Sequence, residues 1–303
     1  MKFSRYYSVN EHLREQFGKK IYKLALNGGT TCPNRDGTAG FGGCIFCGEG
    51  SGTFACSETD DAIKKLRNKV DTDRYIAYFQ SFTSTYKMDD SIRRRMIAAA
   101  SDDRIEIISI ATRPDCLDES VMDFLKNLSE YKPLWVELGL QSMHKATADY
   151  INRSYSLDVF EEAVAKLRNI GADVIVHLIL GLPTETEDDI IGTVRYINGI
   201  DIQGVKYQLL HIMEGTRLGQ MYTAGSITWK ENRIEYPYSL EEYTDIVCRC
   251  IAHTREDIVI HRITGDAPRR NLLAPLWSTD KKRVLNMIHK KLEDKDIRQG
   301  MMK

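Results

Sequence analysis

Much that would classify a chain at a glance is absent from these 303 residues. No apolar run is long enough to cross a membrane. The opening stretch, MKFSRYYSVNEHLREQFGKK, has no signal-peptide core. The expectation is a cytoplasmic protein with no membrane contact. A surplus of one charge is missing too, since 42 Lys and Arg stand against 43 Asp and Glu for a net charge of −1. That argues against a general polyanion binder and against an acidic tail. There is no internal repeat and no low-complexity linker. Seven cysteines are an odd number. In a compartment that keeps thiols reduced they suggest metal binding or catalysis rather than a disulfide framework.

What is present is ordinary in bulk: 42% hydrophobic and 28% charged residues, a composition typical of globular proteins. The length suffices for a full-sized core, as one large domain or a domain with an extension. Strand-length apolar runs at 21–27, 74–82, 104–111, 134–141, 173–180 and 204–212 alternate with amphipathic stretches at 57–70, 89–100, 118–130, 157–169 and 185–198. Most strand starts are separated by the length of a βα unit, so six units predict a parallel barrel. A complete TIM-type barrel has eight. The fold expected is therefore α/β, a partial (β/α)6 TIM-type barrel, with a doubly wound sheet as the alternative. The rhythm changes near residue 225, which divides a core with an N-terminal lead-in (1–225) from a C-terminal extension (226–303). That extension ends in a basic helix from Thr279 onward. Within 281–303, eight basic residues (Lys281, Lys282, Arg283, Lys290, Lys291, Lys295, Arg298, Lys303) outweigh three acidic ones, leaving +5. Such a run is either a solvated face or a surface for phosphates.

Three of the cysteines share one glycine-rich loop, TTCPNRDGTAGFGGCIFC. Eleven residues separate Cys32 from Cys44, and two separate Cys44 from Cys47. The loop follows the first strand, at the carboxyl end of the sheet where α/β proteins place their sites. Structural zinc takes four ligands, and this loop has three cysteines and no histidine. Three thiolates suit a [4Fe–4S] cluster with one iron left open. Spacing alone leaves a three-thiolate zinc site as the rival.

The string CPNRDGTAGFGGCIFC resembles the cluster loop of radical S-adenosylmethionine (SAM) enzymes, in a variant whose first gap is eleven residues rather than three. YFQSFTSTY, IATRPDC, ELGLQS, HLILGLPTET, LLHIMEGT and RITGDAPRRNLLAPLW extend the likeness over nearly the whole chain. Together they resemble the YhcC/YtqA-like family, relatives of the elongator catalytic subunit. The resemblance implies that Cys32, Cys44 and Cys47 bind three irons. SAM then chelates the fourth and is cleaved to a 5′-deoxyadenosyl radical. It places Phe46 near the adenine. Gln80 and Ser81 stand where relatives carry the motif for the SAM amino group, although the usual glutamate is absent. Gln141 and Ser142 match the position meeting the ribose, and Arg153 the partner of the SAM carboxylate. Glu185 falls one residue late for the adenine motif and is assigned no contact.

Strand alternation adds an independent reading. Tyr78 shares an inward face with Ile76 and Gln80; Glu137 with Trp135, Gly139 and Gln141; His177 with Ile175 and Ile179; Lys206 with Gln208 and Leu210. Several polar residues inside apolar strands suggest a lined site, and His177 is counted with the cofactor-binding set. Arg113 at a strand end and Lys206 inside are the candidates to anchor an anionic substrate group. Cys56, Cys116, Cys248 and Cys250 read as structural thiols. Arg269 and Arg270 suit a phosphate, or a pairing with Asp266. By resemblance the substrate expected is tRNA, with carboxymethylaminomethyl wobble uridine converted to aminomethyluridine. The electron donor expected is a flavodoxin- or ferredoxin-type protein. The alternatives are radical chemistry on a free metabolite or peptide, and, remotely, a non-catalytic zinc-containing nucleic-acid-binding module.

Overall fold

The computed structural model describes residues 4–48, 55–67, 70, 72–80, 82–230, 236 and 238–302. Ser81 and Lys303 lie outside the described residues. The chain opens with helix α1 (Val9–Phe17), whose Ser8 and Glu11 form a reciprocal capping box. Five strand–helix units follow. They are β1 (Tyr22–Leu26) with α2 (Thr59–Arg67), β2 (Tyr75–Phe79) with α3 (Asp90–Ala100), and β3 (Ile105–Thr112) with α4 (Glu119–Ser129). Next come β4 (Leu134–Gln141) with α5 (Lys145–Tyr150) and α6 (Leu157–Asn169), then β5 (Asp173–Leu180) with α7 (Glu187–Asn198). Strand β6 (Gly204–Leu209) leads into β7 (Ile212–Met213) and α8 (Arg217–Thr223). The remainder holds α9 (Leu240–His253), β8 (Val259–Arg262), β9 (Leu272–Ala274) and α10 (Lys281–Asp294).

The sheet runs β1-β2-β3-β4-β5-β6-β8, and every pairing in it is parallel. Strands covered on both faces need apolar residues at nearly every position, which is how IEIISIAT and DVIVHLIL read. The curled sheet is the partial barrel the βα rhythm implies, with one correction to its count. A seventh strand, β8, comes from the extension and pairs with β6 through Gly204↔Val259 and Val205↔Ile260. Its four residues include a histidine and an arginine, so its sequence alone does not mark it as part of a central sheet.

One of three apolar clusters among the described residues lies under the cysteine loop around Ile45, Ile151 and Leu182, and the other two cover the faces of the sheet. The larger lies between the sheet and its helices and continues through α9 to Val284, Ile288 and Leu292 of α10. The smaller is inside the barrel at the strand starts. There Ile21, Ile76, Ile107, Trp135 and Ile175 pack with Leu13 of α1, and Val9 and Phe17 lie against them. Leu13 is buried, which contributes about 2 kcal/mol. Helix α1 thus stoppers the strand-start end, and the carboxyl end is the open one.

Candidate active site

The cysteine loop leaves β1 at that open end. Its backbone turns back through hydrogen bonds from Arg35 N to Cys32 O and from Cys47 N to Cys44 O, both 2.9 Å. A second turn, residues 151–155 after α5, clasps it. Ile45 N donates to Ile151 O at 3.1 Å. Asn152 Nδ2 donates to Gly43 O at 2.8 Å and to Phe41 O at 3.2 Å. Asn34 is the hub: its Nδ2 donates to Asn152 O and, at 3.6 Å, to Cys44 Sγ, while its Oδ1 accepts from Ser154 Oγ at 2.7 Å. Gly40 permits this closeness, because a Cβ there would stand 2.2 Å from Asn34 Oδ1. Asn152 and Ser154 hold left-handed φ values of 57° and 66° without being glycine. Strain of that kind persists only where the surroundings enforce it.

The surroundings of the sulfurs are cationic. A hydrogen bond with Cys47 brings Cys44 down to about 7, with Arg113, Asn34 and Arg153 acting in the same direction. The same bond, with burial, pushes Cys47 well above its usual value. Cys32 is close enough to influence Cys47, Arg113 and Cys116 electrostatically. The guanidinium groups of Arg113 and Arg153 lie 4.8 and 4.7 Å from the centre of the Tyr155 ring. Positive charge of this kind favours thiolates. Among the described residues no three His, Cys, Asp or Glu side chains meet closely enough to hold a single ion. A four-iron cluster gives each thiolate its own iron and does not require that closeness. The donor set fits such a cluster.

Of the predicted SAM residues that the structure describes, Arg153, Gln141, Ser142, Gln80 and Phe46 lie at strand ends and turns on this side of the sheet. Arg153 is buried, not an exposed helix-end charge. Its Nη1 donates to Leu140 O at 2.8 Å and Ser142 O at 2.6 Å, and its Nε and Nη2 to Tyr155 O at 3.3 and 3.1 Å. Four of five donors are occupied, so a ligand is left one N–H and an uncompensated charge. Gln141, with φ 62°, accepts from Tyr155 Oη at 3.3 Å. Ser142 Oγ donates to Glu185, whose carboxyl burial pushes up to about 7. Gln80 is half-buried at the end of β2, its N–H bound to Leu26 O at 3.2 Å. Phe46 packs beside the cluster of Ile45, Ile151 and Leu182.

Below the rim, every inward face supplies a polar group to one level, and Glu137 is its centre. Glu137 Oε1 accepts from Lys23 Nζ at 2.8 Å and Ser109 Oγ at 3.0 Å. Its Oε2 accepts from His177 Nε2 at 2.7 Å and from Lys206 Nζ. His177 Nδ1 meets Gln208 Nε2 at 3.1 Å, and Lys206 Nζ lies 3.4 Å from Tyr78 Oη. His177 is therefore the neutral tautomer protonated at Nε2; burial and Lys206 bring it down to about 4. Burial alone would raise Glu137, yet Lys206, Lys23 and His177 hold it well below the usual carboxylate range. Burial lowers Lys206 to about 7. Arg113, the other candidate anchor, is committed to Asp115 through two bonds of 2.8 and 2.6 Å.

Sequence reasoning passed over Asn34, Lys23 and Tyr155 and gave Glu137 no role, although Lys23 interrupts an apolar strand visibly enough. Asp266 pairs with Lys281 at 2.7 Å and Arg262 at 3.3 Å, which leaves Arg269 and Arg270 exposed at the loop after β8. Cys56, Cys248 and Cys250 are buried.

Comparison with known proteins agrees with this arrangement. The family described as the Radical SAM superfamily matches residues 27–197, and the Radical_SAM C-terminal domain matches residues 202–294. The chain is 41% identical to YtqA of Bacillus subtilis over 304 residues, covering 98% of the chain and 92% of YtqA. It is 36% identical to YhcC of Escherichia coli K12 over 273 residues, covering 88% and 85%. Among solved structures, the archaeal Methanocaldococcus infernus Elp3 superposes with a TM-score of 0.65 at 18% identity, over 92% of this chain and 64% of that one. Methylornithine synthase (PylB) superposes at 0.52 and 13% identity, over 96% and 87%. At such identities these two likenesses concern the fold alone. No helix among the described residues is long and apolar enough to cross a membrane. The zinc-module alternative has no remaining support. The chain belongs to the radical SAM superfamily, in the YhcC/YtqA-like family, and is an enzyme whose cofactors are a [4Fe–4S] cluster and SAM.

Proposed function

We propose that this enzyme acts on the C5 side chain of wobble uridine in tRNA, converting carboxymethylaminomethyluridine to aminomethyluridine. The resemblance to the elongator catalytic subunit suggests the substrate, and one structural observation carries it: a row of cations, without ion-pair partners among the described residues, that starts beside the loop after β8 at the open end of the barrel. Lys281, at the start of α10, is tied to Asp266 just past β8. From there Lys282, Arg283, Asn286 and Lys290 line a shallow depression of about 470 Å3 with Asp280 and Met287. Among the described residues, no ion pair engages Lys282, Arg283 or Lys290, whereas Lys291 and Lys295 are bound to Asp245 at 2.8 and 2.7 Å. A phosphate backbone would meet the free stripe and Arg269 with Arg270 on the way to the mouth. Phe41, 80% exposed on the cysteine loop, offers a ring on which a base could stack.

In this reading Cys32, Cys44 and Cys47 hold the cluster. Phe46, Gln80, Ser81, Gln141 and Ser142 surround SAM, and Arg153 faces its carboxylate with the one free N–H and its charge. His177, with both ring nitrogens engaged, supports the pocket from below. When bound, the reduced cluster and SAM supply a 5′-deoxyadenosyl radical that takes a hydrogen atom from the substrate. A flavodoxin- or ferredoxin-type protein of the cytoplasm delivers the electron. Helix α1 keeps water out from below, and Lys206 or Arg113 holds the anionic end of the side chain. Mass spectrometry of tRNA nucleosides from a deletion strain tests the reading. Carboxymethylaminomethyluridine should accumulate as aminomethyluridine falls, and an unchanged nucleoside profile would remove tRNA as the substrate.

A further inference from the structure

We propose that the buried level formed by Lys23, Glu137, His177 and Lys206 is a carboxylate-recognition floor, on which Lys206 contacts a carboxylate of the substrate and Glu137 positions Lys206. It rests on the open end of the barrel being the substrate entrance, and it chooses between the two anchors left open above.

The choice follows from counting donors and charges. Glu137 has four lone-pair sites and four donors: Lys23, Ser109, His177 and Lys206. It can accept nothing further. The two ammonium groups keep N–H donors beyond that bond. Beyond Glu137, Lys206 reaches the Tyr78 hydroxyl at 3.4 Å and lies 4.7 Å from the centre of that ring, and Lys23 lies over the rings of Tyr78 and Trp135 at 4.8 and 5.4 Å. With His177 neutral and Lys206 protonated, the level carries two positive charges against one negative, a state that burial disfavours by bringing Lys206 down to about 7. Lys23 keeps 28% of its side chain exposed and can draw on water, whereas Lys206 keeps 5% and Glu137 none, so Lys206 is the cation that water serves least, and an uncompensated buried cation is costly. One monovalent anion brings the level to neutrality. A carboxylate has that charge and matches the spare ammonium donors. Arg113 has no such deficit, since Asp115 already satisfies it in two places. The groups facing Lys206 from its neighbours are Lys23, Tyr78, Glu137 and His177, with His261 and Arg262 on β8. His261 is held neutral by burial, and its Nδ1 is buried without a partner. Arg262 is turned to Asp266 at 3.3 Å. Apart from Glu137, none of them supplies negative charge at neutral pH.

The test uses anaerobically reconstituted holoenzyme and small probes, independent of any tRNA. Calorimetric titration with N-methylglycine should show binding, and N-methylglycinamide, which lacks the charge, should bind at least about tenfold more weakly. Lys206→Gln should lose the N-methylglycine preference and Lys206→Arg should keep most of it. Affinity in the parent should fall as pH rises through 7, where Lys206 loses its proton. Equal binding of acid and amide overturns the proposal, as does full carboxylate affinity in Lys206→Gln. Inorganic phosphate outcompeting N-methylglycine would overturn the carboxylate assignment. If Lys206→Gln does not fold, Lys23→Gln, at the half-exposed rim of the level, should still weaken acid binding relative to amide. Carboxylate binding with no change in the deletion strain's tRNA would retire the tRNA reading and leave the floor standing; the opposite pair of results would retire the floor alone.

Discussion

Glu137→Gln keeps the shape of the buried level and removes its only negative charge. Two ammonium groups then lose their counter-ion. Lys23, with 28% of its side chain exposed, can turn toward water, and Lys206, with 5%, cannot. Breaking a buried ion pair by removing one partner costs about 3–5 kcal/mol, so at pH 6 the variant should be less stable by about that much. The loss should shrink with pH, and the sign is set by Lys206. Its folded pKa is lowered to about 7 from 10.5. Between those values the unfolded chain binds more protons than the folded one, so this group makes stability rise with pH. Near pH 9 Lys206 is already neutral in the parent, and Glu137 then gives it a hydrogen bond rather than a charge pair. What remains is the loss at Lys23 and those bonds, about 1–3 kcal/mol. Urea unfolding of anaerobic protein at pH 6 and pH 9 measures both numbers by tryptophan fluorescence, with Trp135 lying directly under the level. A loss below about 1 kcal/mol at pH 6, or the same loss at both pH values, would show that water reaches Lys206. The argument for a dry, charge-surplus floor would then fail.

Replacing any one of Cys32, Cys44 or Cys47 by Ala should abolish iron retention and SAM cleavage, while Cys56→Ala and Cys248→Ala should leave both intact; iron analysis and 5′-deoxyadenosine assay decide. Arg153→Lys should weaken SAM binding by about 1–3 kcal/mol and also loosen the turn that clasps the cysteine loop, because a lysine cannot reach the carbonyls of Leu140, Ser142 and Tyr155 together. Unaltered SAM affinity with lowered stability would leave Arg153 as a clasp only. Reversing Lys282, Arg283 and Lys290 to Glu should weaken tRNA binding and flatten its salt dependence, whereas neutralising Lys295, already paired with Asp245, should change the slope little. Equal slopes in parent and triple variant would remove α10 from the interface.

The outline of the fold was legible because a buried parallel strand leaves few choices of residue. IEIISIAT, LWVELGLQ and DVIVHLIL are predominantly apolar, with single polar residues inside, and the structure begins and ends β3, β4 and β5 within a residue of the sequence reading. A short strand is readable at the start of IVIHRITGDAPRRNLLAPLW, but its place in the central sheet was not, because it depends on Val205 meeting Ile260, a pairing between distant segments. The cysteine loop was legible through its spacing. The clasp around it was not, since backbone carbonyls do much of the accepting and every residue type carries one. Arg153 illustrates the difference: sequence shows a guanidinium, and only the fold shows that four of its donors are already spent on main chain.

Charge needs the same correction. Eight cations near the C-terminus look alike in sequence, yet α9 lies against α10 and its Glu241 and Asp245 together engage two of them, Lys291 and Lys295. The stripe that remains is a consequence of helix packing. Inside the barrel, strand register instead gathers the charge. Lys23, Glu137, His177 and Lys206 sit on four different strands, separated in sequence by as many as 183 positions, and each alone would pass as a tolerated polar residue. Parallel register brings them to one level, Gly139↔His177 and His177↔Lys206 fixing the heights of three strands. Only then does their sum appear, two cations on a saturated carboxylate. Residues at strand tips identify the chemistry this family performs. If the carboxylate floor acts as proposed, the net charge of the level below them selects the substrate, and a chain with the same tips and a neutral residue at 206 should run the same radical on a different, uncharged group.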